Sequence, residues 1–394
     1  MSKSALIVAG IMSGTSADGI DVALVRISGR DLRTRFKLLL HRHYPYPRAV
    51  RAHILKTMNA ANASVADLAR LNVLLGELYA KAVLKTQRTA HVKAALIGCH
   101  GQTLYHQGEV APFLGRRIRA TWQTGEAAIL AARTGVPVVS DFRPADLAAG
   151  GKGAPLVPLL DYLYFRHPRH GRIVQNLGGI ANLTGVPAAA AQDDIIAFDT
   201  GPGNMVIDAV TEALFGRPYD RDGRIASRGK VIAPVIDKVL RQSFFRRPPP
   251  RTAGREEFGR AFARDFIRLC RARHAKPVDV VATATALTAA SIADAIQRFV
   301  LARNSKLETR NFKELILSGG GTSNRALVRM ISVAVAPLGL KVILSDSLGL
   351  PSQAKEAVAF ALLAYQTWNR LPGNLPSATG AQHPTILGKI SFPS

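Results

Sequence analysis

The residues of this chain best suited to chemistry are gathered in short glycine-rich segments, each following an apolar run: 13–19, 178–179, 200–203 and 319–321. In the first, Ser13, Gly14, Thr15, Ser16 and Gly19 let a backbone turn tightly and approach an anion closely, and Asp18 and Asp21 punctuate the turn. Amides and hydroxyls so arranged can cradle phosphate, as successive backbone N–H groups do in anion nests. An ordinary hairpin at a sheet edge is the competing reading. No segment fits GxxxxGKS/T, and none fits GxGxxG at the right distance from an acid, which argues against a P-loop and against a dinucleotide fold. A single glycine loop is weak evidence, but SGTSADG, DTGPGN and SGGGTSN in this order are strong evidence together.

Positioning those segments requires strands and helices in alternation. Residues 5–12 form the apolar run of a buried strand, 22–27 resume a strand after the turn, and 36–43 read as a third. Residues 64–89 are a long helix: Ser64 is a natural N-cap, and Leu68, Leu71, Leu75 and Leu78 recur at helical spacing. A short strand at 94–98 delivers Cys99, His100, Gly101, Gln102 and Thr103 at its end. TWQTGE, which contains Gln123, precedes a helix at 127–133, and a strand at 136–140 releases Asp141, Phe142 and Arg143. Such alternation implies a largely parallel or mixed α/β sheet, whose ligands sit at the strand C-termini.

After Gly150-Gly151-Lys152-Gly153, the best boundary, the pattern restarts. Strands at 172–176 and 180–184 flank Gly178-Gly179, and a strand at 195–198 ends in DTGPGN. The echo suggests two similar halves: a first domain at 1–148, joined by the tail 371–394, and a second at 149–370. The arm 244–254 is too rich in proline for a helix and is expected as a surface loop or strap. Helices at 258–273 and 278–300 follow, then a strand at 315–317 feeding SGGGTSN and a helix at 325–335. The last helix, 351–369, opens on Pro351 at N1 and carries Lys355 and Glu356 in its first turns.

Bulk properties narrow the class. A chain of 394 residues accommodates two ordinary domains, and 47% hydrophobic residues fill a globular core. No run reaches the ~18 uncharged apolar residues of a membrane span. Lys3 followed by residues 5–12 imitates a signal peptide, but no small-residue cleavage site follows and Asp18 and Asp21 come too soon, so a cytoplasmic protein is expected. The cysteines, Cys99 and Cys270, form no CxxC, which disfavours a zinc ribbon or a disulfide scaffold. A net charge of +25 invites a nucleic-acid reading. The basic residues are nevertheless spread along the chain, without a helix-turn-helix, zinc finger or RNP-like strand, so no nucleic-acid partner is expected.

Longer segments carry a resemblance. SGTSADGID, CHGQTLYH, WQTGE, DFRPADLAAGGKGAPLVP, NLGGIANLT, FDTGPGN, PPPRTAGREEF, SGGGTSN and GLPSQAKEAVAFALLA resemble those of the 1,6-anhydro-N-acetylmuramic acid kinase family. The likeness runs from about Gly10 to TGAQHPTILGKI, and departs at 187–193 and at Arg251, where lysine is expected. It implies an actin-like α/β fold of two RNase H-like halves with an interdomain cleft. It also implies ATP with Mg2+, anhydro-N-acetylmuramic acid as the small-molecule substrate, and a role in cell-wall sugar recycling. A symmetric homodimer is the default assembly.

The resemblance extends to individual residues. Gly14, Thr15, Ser16, Ala17, Asp18, Gly19, Ile20 and Asp21 would hold the ATP phosphates, with Asp18 or Asp21 either reaching Mg2+ through water or capping the turn. Gly179, Gly201, Gly203, Asn204, Gly319 and Gly320 would let backbone approach the nucleotide, or simply form turns. Asp199 is the expected base that activates water at the anomeric carbon, against a carboxylate that caps its loop or holds Mg2+ through water. Glu356 would orient the same water, or is a helix-end carboxylate stabilised by the dipole. His100, Gln102, Gln123, Asp141 and Arg143 are the sugar-side residues, with Arg143 suited to a lactyl carboxylate; a histidine beside glycine also suits plain packing. The rivals are a plain N-acetylhexosamine kinase of the same fold and a non-catalytic actin-like switch or polymer.

Overall fold

A computed structural model of the chain describes residues 5–302 and 311–393; Lys3 and the last residue of the tail lie outside them. The chain divides into two compact units, Met1–Tyr164 with Ala354–Ser394, and Phe165–Gln353. The strands of the first unit are β1 (Leu6–Ser13), β2 (Gly19–Ser28), β3 (Arg35–Pro45), β4 (Leu96–Phe113), β5 (Arg116–Thr124) and β6 (Val138–Ser140). Those of the second are β7 (Gly171–Leu177), β8 (Ile180–Val186), β9 (Ile196–Pro202), β10 (Phe312–Ser318) and β11 (Lys341–Leu344), and β12 (Lys389–Ser391) returns to the first.

The first sheet runs β12-β6-β4-β1-β2-β3, with β5 attached to β4; the second runs β11-β10-β7-β8-β9. In both, three antiparallel strands form a meander whose first strand then pairs in parallel with a fourth, and the fourth with a fifth. The two halves therefore share one RNase H-like scheme, and two such halves make the actin-like α/β fold.

Each sheet is covered for a reason readable in its residues. Ala9 and Ile11 of β1 and Ile20, Val22 and Leu24 of β2 bury one face against Leu71, Leu75, Tyr79 and Val83 of the helix Val65–Ala90. Ser64 caps that helix by accepting from the Asp67 amide at 3.3 Å. On the other face Gly10 and Gly98 stand side by side in register. A Cβ on Gly10 would overlap the Ala357 carbonyl, and one on Gly98 the Phe360 carbonyl. The two glycines thus form a trough in which the backbone of the closing helix, Lys355–Trp368, lies directly on the sheet. In the second unit the helix Pro277–Ala295 and the π-helical turn Ile296–Leu301 are long and apolar enough to cross a membrane, yet 72% of the apolar window is buried, as in a core helix.

Several boundaries differ from expectation. The first unit ends after Tyr164 rather than at 148, and it takes in the closing helix. Residues 150–153 are a docked corner rather than a linker. Buried Asp146 accepts from the Gly153 amide at 2.8 Å and from Asn374 and Thr379 of the tail, both at 2.7 Å, and the Lys152 amide reaches the Thr379 carbonyl at 2.9 Å. The strand expected at 94–98 continues to Phe113, because Gly101, at φ 77°, absorbs a register shift and the strand then pairs with β5. Residues after Asp141 form a helix, Phe142–Ala148, instead of a loop. The closing helix starts at Lys355, so Pro351 is not its first residue.

Candidate active site

In the first unit, the turn between β1 and β2 closes with an Ala17 amide to Gly14 carbonyl bond of 3.0 Å, with Ala17 buried at φ 51°. Ser16 Oγ donates to Asp18 Oδ1 at 2.8 Å on the exposed side. The turn is braced from below. Ser13 Oγ donates to Gln102 Oε1 at 2.6 Å, Gln102 Nε2 donates to the Gly14 carbonyl at 3.1 Å, and the Tyr46 amide donates to the Asp18 carbonyl at 3.1 Å. Gln102, expected on the sugar side, is therefore a support of the β1–β2 turn. Gly19, Ile20 and Asp21 belong to β2 and not to the turn, and the Ile20 side chain lies in the core. Asp21 Oδ1 is held by His41 Nε2 at 2.9 Å and His43 Nδ1 at 3.2 Å. Burial pushes its carboxyl up, but the two histidine hydrogen bonds outweigh this and leave its pKa lowered.

His100 at the head of β4 is buried. Its Nδ1 donates to the Gly101 carbonyl at 2.7 Å, so Nε2 is the acceptor for Arg143 Nε at 3.1 Å and Nη2 at 2.8 Å. Burial, reinforced by the Arg143 charge, holds this imidazole neutral, far below the usual histidine range. Arg143 also donates through Nη1 to the Gly153 carbonyl at 2.7 Å, and burial lowers its pKa to about 10. The same electrostatic neighbourhood contains Glu356, which burial raises. Lys355 opposes that rise, Asp21 adds to it, Arg143 opposes it and Asp18 adds to it. Of the other sugar-side candidates, Gln123 Nε2 donates to the hydroxyls of Thr121 at 2.9 Å and Thr103 at 3.3 Å. Asp141 instead pairs at the surface with Lys389 of β12 at 2.9 Å.

In the second unit, β9 carries DTGP into a loop backed by the β7–β8 turn. The Gly203 amide donates to the Gly179 carbonyl at 2.9 Å and the Asn204 amide to the Gly178 carbonyl at 2.8 Å. A Cβ on Gly203 would overlap the Gly178 carbonyl, so this approach of two backbones requires glycine. Asn204 Nδ2 donates to the Leu177 carbonyl at 3.3 Å, and Gly201 sits at φ 153°. The third glycine segment leaves β10 through Gly319, at φ 87°, where a Cβ would come within 2.6 Å of Asn176 Oδ1; Gly320 meets nothing within 4 Å.

The strand expected at 195–198 runs on to Pro202, so Asp199 is not in a loop after it but within β9, opposite Asn182 of β8, and keeps part of its side chain open. Its Oδ2 accepts the Ala253 amide at 2.7 Å. Burial pushes its pKa up to about 7, against the Ala253 hydrogen bond and the Arg251 charge, with Glu257 and Glu256 adding to the rise. Arg251 is not on a surface strap. It is buried, and donates to the Asp199 carbonyl at 2.9 Å, to the Thr200 carbonyl at 3.3 Å, and to the carbonyls of Phe244, Phe245 and Arg247 at 3.0–3.2 Å. Its guanidinium also lies over the rings of Phe198, Phe244 and Phe299. A fork of five donors meets this set of carbonyls where an ammonium could not.

Residues not singled out from sequence complete the picture. They are the Ala253 amide, the brace residue Tyr46, the pair His41 and His43, and Asp208, which burial and Asp220 push up to about 7; Arg251 stands out only as a departure from an expected lysine. Histidines two apart on one strand face are a signal that the pattern of β3 offered; the Ala253 amide left none. Among the described residues no cluster of three or more His, Cys, Asp or Glu is arranged to ligate a metal directly. Both cysteines are buried, Cys99 with its thiol pushed up by burial to about 12, which suits packing.

The family model for anhydro-N-acetylmuramic acid kinase matches residues 6–393. A relative of that name from Caldanaerobacter subterraneus subsp. tengcongensis is 42% identical over 395 residues, covering 99% of this chain and 98% of its own. Relatives of the same name from Bacillus cereus and Salinibacter ruber are 41% and 44% identical, covering 98% and 99% of this chain and 99% and 97% of their own.

Proposed function

The chain belongs to the anhydro-N-acetylmuramic acid kinase family, ATP-dependent enzymes that open the 1,6-anhydro ring, and from that premise we propose that Asp199 is its catalytic base. The observation that carries this reading is the Asp199 carboxyl itself. It sits within β9, just before the glycine-rich end of that strand, partly open, with a pKa of about 7 set by burial. A base is most effective when its pKa lies near the working pH.

The substrate is an internal acetal. Breaking C1–O6 unaided expels a poor alkoxide, and neutral water is a feeble nucleophile. The Asp199 carboxylate takes a proton from water as the water oxygen bonds to C1, and the C1–O6 electron pair leaves with O6. O6 then bonds to the γ-phosphorus as the bond to the β,γ-bridging oxygen breaks, and ADP departs. The product is N-acetylmuramic acid 6-phosphate. The anhydro bridge shields one face of C1, so water arrives from the other. Glu356 orients water, and Arg143, its planar fork pre-set by His100, receives the lactyl carboxylate.

Residues 14–18 hold the phosphates with their amides, and Gly319 and Gly320 lie against adenosine. Asp18, exposed and bearing hard oxygens, fits Mg2+ held through water better than Asp21, whose carboxylate is engaged by two histidines. Bound there, the ion would neutralise charge on the phosphates. The reaction serves recycling of cell-wall sugar in the cytoplasm, where ATP is available.

The test is to offer the anhydro sugar and its ring-opened counterpart side by side. Release of ADP with the anhydro sugar, yielding the 6-phosphate, is expected. Phosphorylation of the ring-opened sugar alone would instead indicate a plain N-acetylhexosamine kinase.

A further inference from the structure

One fully buried ion pair in the first unit takes no part in the chemistry above. Lys355 Nζ donates to Asp161 Oδ1 at 3.1 Å, with side-chain exposures of 2% and 3%. Asp161 belongs to the helix Pro158–Phe165, within which the unit's first segment ends at Tyr164. Lys355 opens the closing helix, immediately after the chain re-enters the unit at Ala354. The pair therefore joins the segment by which the chain leaves this unit to the one by which it returns.

Helix stability does not account for Lys355. A cation in a first turn opposes the helix dipole, and lysine is rarely buried completely. Removing both charges from water costs more than their attraction commonly returns, and the best-attested benefit of such pairs is that they specify one arrangement. What is specified here is one residue away. Ala354 provides no side-chain cap, so the first turn of the closing helix has no capping bond to fix it. The next fixed points are Ala357 and Phe360, seated on Gly10 and Gly98. Glu356 lies between the ion pair and that seat.

We propose that Asp161 and Lys355 are positioning residues for Glu356, holding the first turn of the closing helix so that the carboxylate is presented to the reacting water. The inference rests on the reading of Glu356 given above. A tie of this kind acts on orientation, and displacement of a reacting group by about 1 Å can cost on the order of 10²-fold in rate.

The experiment compares the neutral pair Asp161→Asn with Lys355→Met, made together so that no lone charge is left buried, with Glu356→Gln and with all three changes combined. The neutral pair is expected to unfold cooperatively, to lower kcat by roughly 10–100-fold, and to keep KM for ATP and sugar within about 3-fold. In the Glu356→Gln background it should cost nothing further, since a device that acts through Glu356 is silent once that carboxylate is gone. Should the neutral pair fail to fold, Asp161→Glu lengthens the tie by one methylene. It should lower kcat severalfold in the parent and leave it unchanged in the Glu356→Gln background. A folded neutral pair with full kcat, or losses that add to that of Glu356→Gln, overturns the inference. Full activity of Glu356→Gln itself would overturn the reading it rests on.

Discussion

The β1–β2 hairpin and strand β9 belong to the meander of the same five-strand scheme, one in each unit, and treat their carboxylates in opposite ways. In the first, Asp18 is exposed and Asp21 is bonded to His41 and His43, which lowers its pKa. In the second, burial raises Asp199 to about 7 although the Ala253 amide and Arg251 pull the other way. The difference is one of surroundings and not of fold. A carboxylate kept ionised by two histidines suits a tie between strands that steadies the hairpin; a carboxylate poised near neutrality suits a site that must take a proton. The scaffold was used twice and the chemistry was set by what packs on it: histidines of a neighbouring strand in one half, the Arg251 arm in the other.

Substitution at the two carboxylates should separate them sharply. Asp199→Asn keeps the shape and removes the base, and is expected to lower kcat by about 10²–10⁴-fold while calorimetry finds ATP binding unchanged. In the parent protein kcat should fall as pH drops through about 7, as the base becomes protonated. Near-normal turnover by the variant, or an activity flat from pH 8 to 5, would erase the contrast between the two regions.

Asp18→Ala should act on the other side of the comparison with a smaller effect. We expect KM for ATP to rise about tenfold, equivalent to about 1.4 kcal/mol, with sugar binding by calorimetry left as it was. Lost sugar binding at normal nucleotide affinity would reverse the assignment of the first turn.

The smallest effect is on stability. Because the folded-state pKa of Asp199 lies above the unfolded value of 3.8, the folded chain holds its proton more tightly. Its stability therefore declines as pH rises between those values, and the full cost is present above pH 7. Asp199→Asn removes that cost. At pH 8 its Tm should exceed the parent's by a few degrees, and the gap should close as pH falls toward 4. An unchanged or lower Tm at pH 8 would mean that the carboxylate is not held against its own ionisation.

Much of this was legible in sequence because glycine and strand patterns are local. The β1–β2 turn, the Ser64-capped helix and the glycine segments after β9 and β10 all rest on small residues or periodicity within a few positions. The echo of the first half in the second is likewise visible as strand, turn, strand and loop, and the sheets share one order. What sequence does not carry is who braces whom. Gln102 looks like a strand-end ligand until its amide is found bonded to Ser13 and Gly14 from across the sheet. Arg251 stands out in sequence only as an arginine where lysine is expected, yet it closes five backbone carbonyls around Asp199. The glycine cluster at 150–153 carries every local mark of a linker, and a distant buried carboxylate, Asp146, turns it into a corner. Each of these depends on contacts between residues far apart in the chain.

The most direct test of the central claim is to run the reaction in ¹⁸O-labelled water and locate the label. If Asp199 delivers water to C1 while O6 passes to the γ-phosphoryl group, the label appears on the C1 hydroxyl of the sugar product and is absent from its phosphate. Labelled inorganic phosphate, with no label at C1, would show that water attacks phosphorus instead, and would contradict the account.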